Sequence, residues 1–121
     1  MNILIMDDSP TVRLMMKKVI TSEFPQANVV EHNNAKDGFK ELTKQGFDLI
    51  VTDLNMGEVK GSGNNFLMKI KGSAILKKKP VIVFSSENTD SLKKMFPEVV
   101  FVSKDKGPKV FLEAVKSILN K

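Results

Sequence analysis

Acidic side chains stand directly after two apolar stretches of the chain. Asp7 and Asp8 follow the run Ile3-Leu4-Ile5-Met6, and Asp53 follows Leu49-Ile50-Val51-Thr52. If these runs are neighbouring strands of one parallel sheet, the three carboxylates meet at its carboxyl edge, where open α/β folds bind ligands. Clustered carboxylates repel one another unless a cation lies among them, and sites made only of oxygen suit Mg²⁺. A carboxylate beside Mg²⁺ is also a candidate acceptor for a phosphoryl group.

Further groups that such chemistry needs follow two later apolar runs. A phosphoryl acceptor requires a cation that pairs with the phosphate and a hydroxyl or amide donor for another oxygen. Ser85 and Ser86 follow Val81-Ile82-Val83-Phe84, and Lys104 follows the last apolar run. Simpler explanations remain open for each of them. Serine is favoured in any strand-to-helix turn, Lys104 is one of 18 lysines, and the first two carboxylates could merely favour a helix start.

Short apolar runs that alternate with helical spacing predict how these residues are positioned. The predicted strands are residues 2–6, 27–31, 48–52, 80–84 and 99–102. The first, third and fourth are almost continuously hydrophobic, which is typical of strands covered by helices on both sheet faces. Parallel crossovers are right-handed, so we expect a doubly wound (βα)₅ three-layer α/β sandwich with strand order 2-1-3-4-5. This order places strands 1 and 3 side by side.

Five helical segments are predicted from capping residues and apolar spacing. Ser9 and Pro10 mark the start of the first helix, because serine caps helices and proline suits the first position. The second helix is predicted from Asn34 to Gly46 and the third from Asn64 or Asn65 to Gly72. The fourth is predicted from Asn88 to Phe96, and the fifth begins at Pro108. The methionines expected to fill the core are Met6, Met15, Met16 and Met68.

The length and composition favour one soluble domain. With 121 residues, the chain fits residues 1–121 as a single domain and is too short for that domain plus an output module. The net charge is +5, but the lysines are scattered, so we expect a solvated surface and no nucleic-acid partner. No apolar run is long enough for a membrane span, and we expect no membrane partner. The absence of cysteine favours a reducing compartment, for which the cytoplasm is the default.

Four short motifs together resemble a known family. They are Ile5-Met6-Asp7-Asp8-Ser9, Val51-Thr52-Asp53-Leu54-Asn55-Met56, Val83-Phe84-Ser85-Ser86 and Val102-Ser103-Lys104. In this order along the whole chain, they resemble the receiver domains of two-component response regulators. The resemblance implies the flavodoxin-like fold, as in single-domain chemotaxis regulators.

The resemblance also implies a role for each matching position. Asp53 would be the phosphoacceptor, and the Mg²⁺ ligands would be Asp8, Asp53, the backbone carbonyl of Asn55 and, directly or through water, Asp7. Lys104 would pair with the phosphoryl group. Ser85 would be the switch hydroxyl, and Phe101 the aromatic residue that moves inward with it.

The implied function is a signalling switch rather than a conventional enzyme. A sensor histidine kinase, a phosphotransfer protein or a small phosphodonor would supply the phosphoryl group. A downstream protein would bind the face formed by helix 4, strand 5 and helix 5. The main alternative is a divergent receiver that works as a non-switching adaptor or phosphate sink. A metal-dependent phosphohydrolase is less favoured, because such enzymes generally need a substrate cap and a longer chain.

Three departures from the family pattern support that alternative. Gly57 stands where the family usually has proline, within a glycine-rich stretch at 57–63 that we expect to be a mobile loop. Asp105 stands where a cis proline usually follows the lysine, so we expect a trans turn that could aim Lys104 differently. Only 18 residues separate Ser85 from Lys104, which shortens the fourth helix.

Overall fold

A computed structural model describes residues 1–56, 62–74 and 76–120. The described residues form five strands and five helices that alternate along the chain. The strands are β1 (Asn2–Met6), β2 (Asn28–His32), β3 (Leu49–Thr52), β4 (Val81–Ser85) and β5 (Val100–Ser103). The helices are α1 (Pro10–Glu23), α2 (Ala35–Lys44), α3 (Ser62–Lys71), α4 (Asp90–Met95) and α5 (Gly107–Leu119).

All strand pairs are parallel, and the sheet order is β2-β1-β3-β4-β5. This confirms the predicted doubly wound topology. Met6 at the end of β1 pairs with Thr52 at the end of β3, and the Asp53 N–H donates to the Met6 carbonyl at 3.1 Å. Because of this register, Asp7 and Asp53 lie side by side at the carboxyl edge of the sheet.

The three-layer arrangement follows from two apolar clusters, one on each face of the sheet. Helices α1 and α5 cover one face through the buried residues Met16, Ile20, Phe111 and Val115. Helices α2 and α3 cover the other, together with the chain around α4. The side chains of β1 beyond Asn2, and all those of β3 and β4, are buried, as their continuous hydrophobicity predicts.

The helix starts predicted from capping residues are largely confirmed. The Val12 N–H donates to Ser9 Oγ at 3.3 Å, and Pro10 is the first residue of α1. Asn34 caps α2 by accepting from the Asp37 N–H at 2.8 Å. Helix α3 begins two residues before the predicted Asn64, and α4 is shorter than predicted, with six residues.

Met68 does not fill the core, contrary to the prediction from its spacing. Its neighbours Phe66, Leu67 and Ile70 occupy the buried face of α3, which leaves Met68 57% exposed. Met6 and Met16 are buried as predicted, and Met15 packs against the cluster on the α1 side.

Gly38 allows α2 to approach β1 closely, directly below the acidic edge. A Cβ atom at this position would lie 2.0 Å from Met6 Sδ, closer than any real contact. Because Met6 immediately precedes Asp7, this contact also helps to fix the end of β1.

The described residues include no helix that is both long and apolar enough to cross a membrane.

Candidate functional site

The carboxyl edge of the sheet brings Asp7, Asp8 and Asp53 together. Each of the three offers an oxygen, and these oxygens all lie within 4.8 Å of one another. Asp7 and Asp53 are buried, whereas Asp8 is exposed. The cluster is thus open to solvent on one side and enclosed on the other, as suits an ion that keeps some of its water.

Lys104 reaches this cluster from the end of β5. Its Nζ lies 2.8 Å from Asp7 Oδ2 and donates to Asp53 Oδ2 at 2.9 Å. Lys104 is therefore directed at the carboxylates although the proline that usually follows it in the family is missing. No peptide bond among the described residues is cis, as predicted for this turn.

A short 3₁₀ helix at Lys104–Lys106 replaces the proline turn. The Asp105 N–H donates to Ser103 Oγ at 3.2 Å, a bond that a proline at position 105 could not make. Gly107 then turns the chain into α5 with φ of +81°, in the region that glycine adopts without strain. This turn orients Lys104 toward the carboxylates.

Backbone amides hold the two buried carboxylates in place. The Ser9 N–H donates to Asp7 Oδ1 at 2.9 Å, and the Leu54 N–H donates to Asp53 Oδ1 at 2.7 Å. The Asp7 N–H donates to the His32 carbonyl at the end of β2, at 3.2 Å. One oxygen of each carboxylate is thereby fixed by the backbone, and the other faces Lys104.

Burial and pairing shift the pKa values of two groups here. Burial raises the pKa of Asp7, because desolvation of the carboxylate outweighs its contacts with Lys104 and the Ser9 amide. Burial opposes the charged form of Lys104, but the neighbouring Asp7 and Asp53 outweigh it and raise the pKa of this ammonium. Asp7 is thus harder to ionise than an exposed aspartate, and Lys104 remains charged at neutral pH.

The cluster fits a divalent cation. Asp7 Oδ2 is buried and receives no aligned hydrogen bond, since its close contact with Lys104 is an ion pair without that geometry. Because Lys104 contacts this oxygen without an aligned hydrogen bond, a lone pair of Asp7 Oδ2 stays available to a further cation. Carboxylate oxygens are the ligands that Mg²⁺ prefers.

Ser85 lies at the end of β4, next to this edge. It is buried, and its Oγ accepts from the Glu87 N–H at 3.1 Å. The Asn55 side chain donates to Glu87 Oε1 at 3.0 Å, which joins the loop after β3 to the loop after β4. Ser85 and Asn55 are therefore connected through one residue, Glu87.

Phe101 lies farther from the carboxylates, in the middle of β5. It is partly buried and packs against the cluster on the α2 and α3 side. The sequence expectations for Gly57 and for most of the loop at 57–63 lie outside the described residues, which resume at Ser62.

Sequence reasoning missed three residues that support the site. Arg13 donates to the Asp7 carbonyl, Glu87 links two loops, and Gly38 admits α2 against Met6. Arg13 could have been noticed in the sequence, because it is the only arginine of a chain that has 18 lysines. Glu87 and Gly38 act through contacts that only the folded sheet creates.

Comparison with known proteins identifies the family of this chain. A family model described as the response regulator receiver domain matches residues 3–116. The glycerol metabolism activator of Pseudomonas putida is 32% identical over 123 residues, which cover 98% of this chain and 53% of that protein. The chain thus spans about half the length of this relative.

Two solved structures show the same fold. The chemotaxis response regulator CheY4 of Vibrio cholerae superposes with a TM-score of 0.83 at 20% identity, covering 98% of both chains. The Mn²⁺-bound form of response regulator Rcp1 superposes with a TM-score of 0.77 at 22% identity, covering 97% of this chain and 90% of that one.

Proposed function

This chain belongs to the response regulator receiver family, and we propose that it is a phosphorylation switch that accepts its phosphoryl group on Asp53. The single observation that carries the proposal is the meeting of Asp7, Asp8, Asp53 and Lys104 at one sheet edge. Receiver domains bind Mg²⁺ typically, and the oxygens gathered here suit that ion.

In the proposed reaction, a carboxylate oxygen of Asp53 forms a bond to phosphorus as the bond to the donor breaks. The donor is a phosphohistidine of a sensor kinase or phosphotransfer protein, or a small acyl phosphate, and its leaving group keeps the electron pair. The product is an aspartyl phosphate. Attack of water on phosphorus later releases inorganic phosphate and restores the carboxylate.

The residues around Asp53 have separate tasks. Lys104, which already contacts Asp53, pairs with a phosphoryl oxygen. Asp7, Asp8, Asp53 and the Asn55 carbonyl would hold Mg²⁺, which supplies positive charge to the phosphoryl oxygens when bound. The Leu54 amide keeps one Asp53 oxygen in place, so that the carboxylate does not rotate freely.

Ser85 and Phe101 form the proposed switch. The Ser85 hydroxyl is now an acceptor for the Glu87 N–H, and it would turn toward a phosphoryl oxygen once one is present. That change would pull on the loop that leads into α4. Phe101, which is only partly buried in the present state, would move inward with it.

The proposed readout is affinity for a downstream protein at the face of α4, β5 and α5. Met95 on α4 and Val110 on α5 are 59% and 40% exposed, and both helices carry lysines. We propose that residues 1–121 form one receiver domain, which acts in the cytoplasm and catalyses only its own phosphorylation and dephosphorylation.

Helix α4 gives a specific reason to consider the adaptor alternative. It has six residues and no buried side chain, so its movement could be too weakly coupled to the site to select a partner. In that case Asp53 would still accept phosphate, but the α4 face would not respond.

Intact mass after incubation with acetyl phosphate and Mg²⁺ tests the proposal. We expect one added phosphate on the wild type and none on Asp53→Asn. Asp48→Asn is the matched control, because Asp48 is exposed at the opposite end of the sheet, where it accepts from the Asn2 N–H. Equal labelling of Asp53→Asn and the wild type would reject Asp53 as the acceptor.

Amide shifts measured with beryllofluoride and Mg²⁺ separate the switch from the adaptor. A switch predicts shifts at Ser85, at Phe101 and along α4. Shifts confined to Asp53 and its immediate neighbours would favour the adaptor.

A further inference from the structure

Arg13 contacts both the turn that carries the acids and the edge strand β2. It lies one turn into α1, where its own N–H donates to the Ser9 carbonyl at 3.0 Å. Its Nη1 donates to the backbone carbonyl of Asp7, and its Nε lies 3.4 Å from Glu31 Oε1 on β2. The side chain is only 18% exposed. Arg13 thus joins α1, the edge strand β2 and the turn that carries the acids.

We infer that Arg13 is a positioning residue for the ion site, an inference that rests on the proposed function. It fixes the peptide that joins Asp7 to Asp8 and thereby sets where the Asp8 carboxylate lies. On the other side of the same turn, the Asp7 N–H is held by the His32 carbonyl and Asp7 Oδ1 by the Ser9 amide. The bond from Arg13 to the Asp7 carbonyl adds a third hydrogen bond that holds this turn, and it is lost when Arg13 is replaced.

The geometry explains why this position holds arginine. A guanidinium is planar and donates in several fixed directions, so it can bond a carbonyl and a carboxylate together. An ammonium is a point charge on a flexible stem. Lys17 already lies 3.7 Å from Glu31 Oε2, so a cation for Glu31 is present without Arg13. The distinctive contribution of Arg13 is its bond to Asp7.

Charge and geometry predict opposite effects on Mg²⁺ binding, which makes the inference testable. Arg13 adds a positive charge beside the acidic cluster. If it acted only through that charge, its removal would strengthen the attraction for Mg²⁺. If it positions the acids, its removal weakens binding, because the ligands are no longer held ready.

The experiment measures Mg²⁺ affinity by calorimetry for the wild type, Arg13→Ala, Arg13→Lys and Lys17→Ala. We expect Arg13→Ala to bind about tenfold more weakly, at the lower end of the losses found when an outer partner of a metal ligand is removed. Arg13→Lys should remain weak although it keeps the charge. Lys17→Ala is the matched control, since it loses a cation from Glu31 but none from Asp7, and it should bind at least as tightly as the wild type. Affinity of Arg13→Ala equal to or above that of Lys17→Ala would overturn the inference.

A second measurement keeps this result separate from the proposed function and from loss of folding. Amide hydrogen exchange is followed in the metal-free proteins, and urea unfolding gives their global stability. We expect the Asp7 and Ser9 amides to exchange faster in Arg13→Ala than in Lys17→Ala, while the central strands stay protected. A wild type that binds no Mg²⁺ would reject the proposed function. The exchange rates would still decide on Arg13, because equal rates in the two variants would overturn its positioning role.

Discussion

The two helices that follow β1 and β4 differ sharply in how they are held. Helix α1 has 14 residues, is capped by Ser9, and buries Met16 and Ile20. Helix α4 has six residues, has no side-chain cap bond from Thr89, and buries none of its side chains. Its hold on the core comes from Leu92, which is partly buried, and from Phe96 just after it. The chain is therefore firmly anchored beside the acids and weakly anchored beside Ser85.

This difference suits the two halves of the proposed function. Side chains that bind an ion must be held near their final positions, because any conformational freedom that is lost on binding weakens the affinity. An element that reports on the site must have more than one accessible position, and such elements come from the less stable parts of a fold. The following experiments test whether the contrast between α1 and α4 is real.

Truncation of one anchor on each helix should show the largest effect. Ile20→Ala empties fully buried space on α1, and we expect a loss of about 3–4 kcal/mol in the free energy of unfolding. Leu92→Ala on α4 should cost about 1 kcal/mol, because Leu92 is only partly buried and its neighbours can collapse. Urea unfolding measures both. Equal losses would mean that α4 is anchored as firmly as α1.

Gly38→Ala should disturb the anchored side from the other face of the sheet. The new Cβ would overlap Met6 Sδ, so the buried Met6 side chain or the elements that carry it must shift, at a cost of about 2 kcal/mol in stability. Gly46→Ala is the matched control, since a Cβ there meets nothing within 4 Å and should be neutral or slightly stabilising. Thermal unfolding compares the stabilities of the two variants. An unchanged stability of Gly38→Ala would show that α2 and Met6 are not tightly packed at this position.

Lys104→Met removes the cation from the buried acids. We expect a loss of about 1–2 kcal/mol in the absence of metal, because a charged hydrogen bond is broken and two carboxylates remain close together. Added Mg²⁺ should increase the free energy of unfolding of this variant by more than that of the control Lys109→Met, a substitution at an exposed lysine. Urea unfolding with and without Mg²⁺ measures the difference. An identical gain in both variants would contradict a shared site for Lys104 and the ion.

Glu87→Ala should have the smallest effect on stability and the clearest effect on motion. Its exposed bond to Asn55 contributes less than about 0.5 kcal/mol, yet it ties the loop before α4. We expect unchanged unfolding and faster amide exchange between Glu87 and Leu92. Glu98→Ala, which loses an exposed ion pair with Lys71 after α4, is the control. Equal exchange in the two variants would show that the Asn55 bond does not restrain this loop.

Much of the fold could be predicted because local and long-range signals agree. The continuous apolar strands require cover on both faces, and each predicted strand lies within a residue of its observed bounds. The starts of α1 and α2 could be predicted because Ser9, Pro10 and Asn34 favour a helix start through local hydrogen bonding and backbone geometry. The meeting of Asp7 and Asp53 follows directly from the register of β1 with β3.

The remaining features depend on contacts that the sequence does not display. The direction of Lys104 is set by a serine-capped 3₁₀ turn in place of the usual proline. The exposure of Met68 is set by which residues of α3 face the sheet. Arg13 and Glu87 form bonds between elements, and their partners become neighbours only when the strands assemble.

The bond between Asn55 and Glu87 offers a route for coupling between the ion site and α4, in both directions. Asn55 belongs to the loop proposed to hold the ion, and Glu87 belongs to the loop that leads into α4. Linkage between two binding equilibria is reciprocal, so a protein that binds α4 and changes the Mg²⁺ affinity through this bond would itself bind more or less tightly by the same factor when Mg²⁺ is present. A protein bound at α4 would then change how tightly the site holds its ion, in addition to responding to the state of the site.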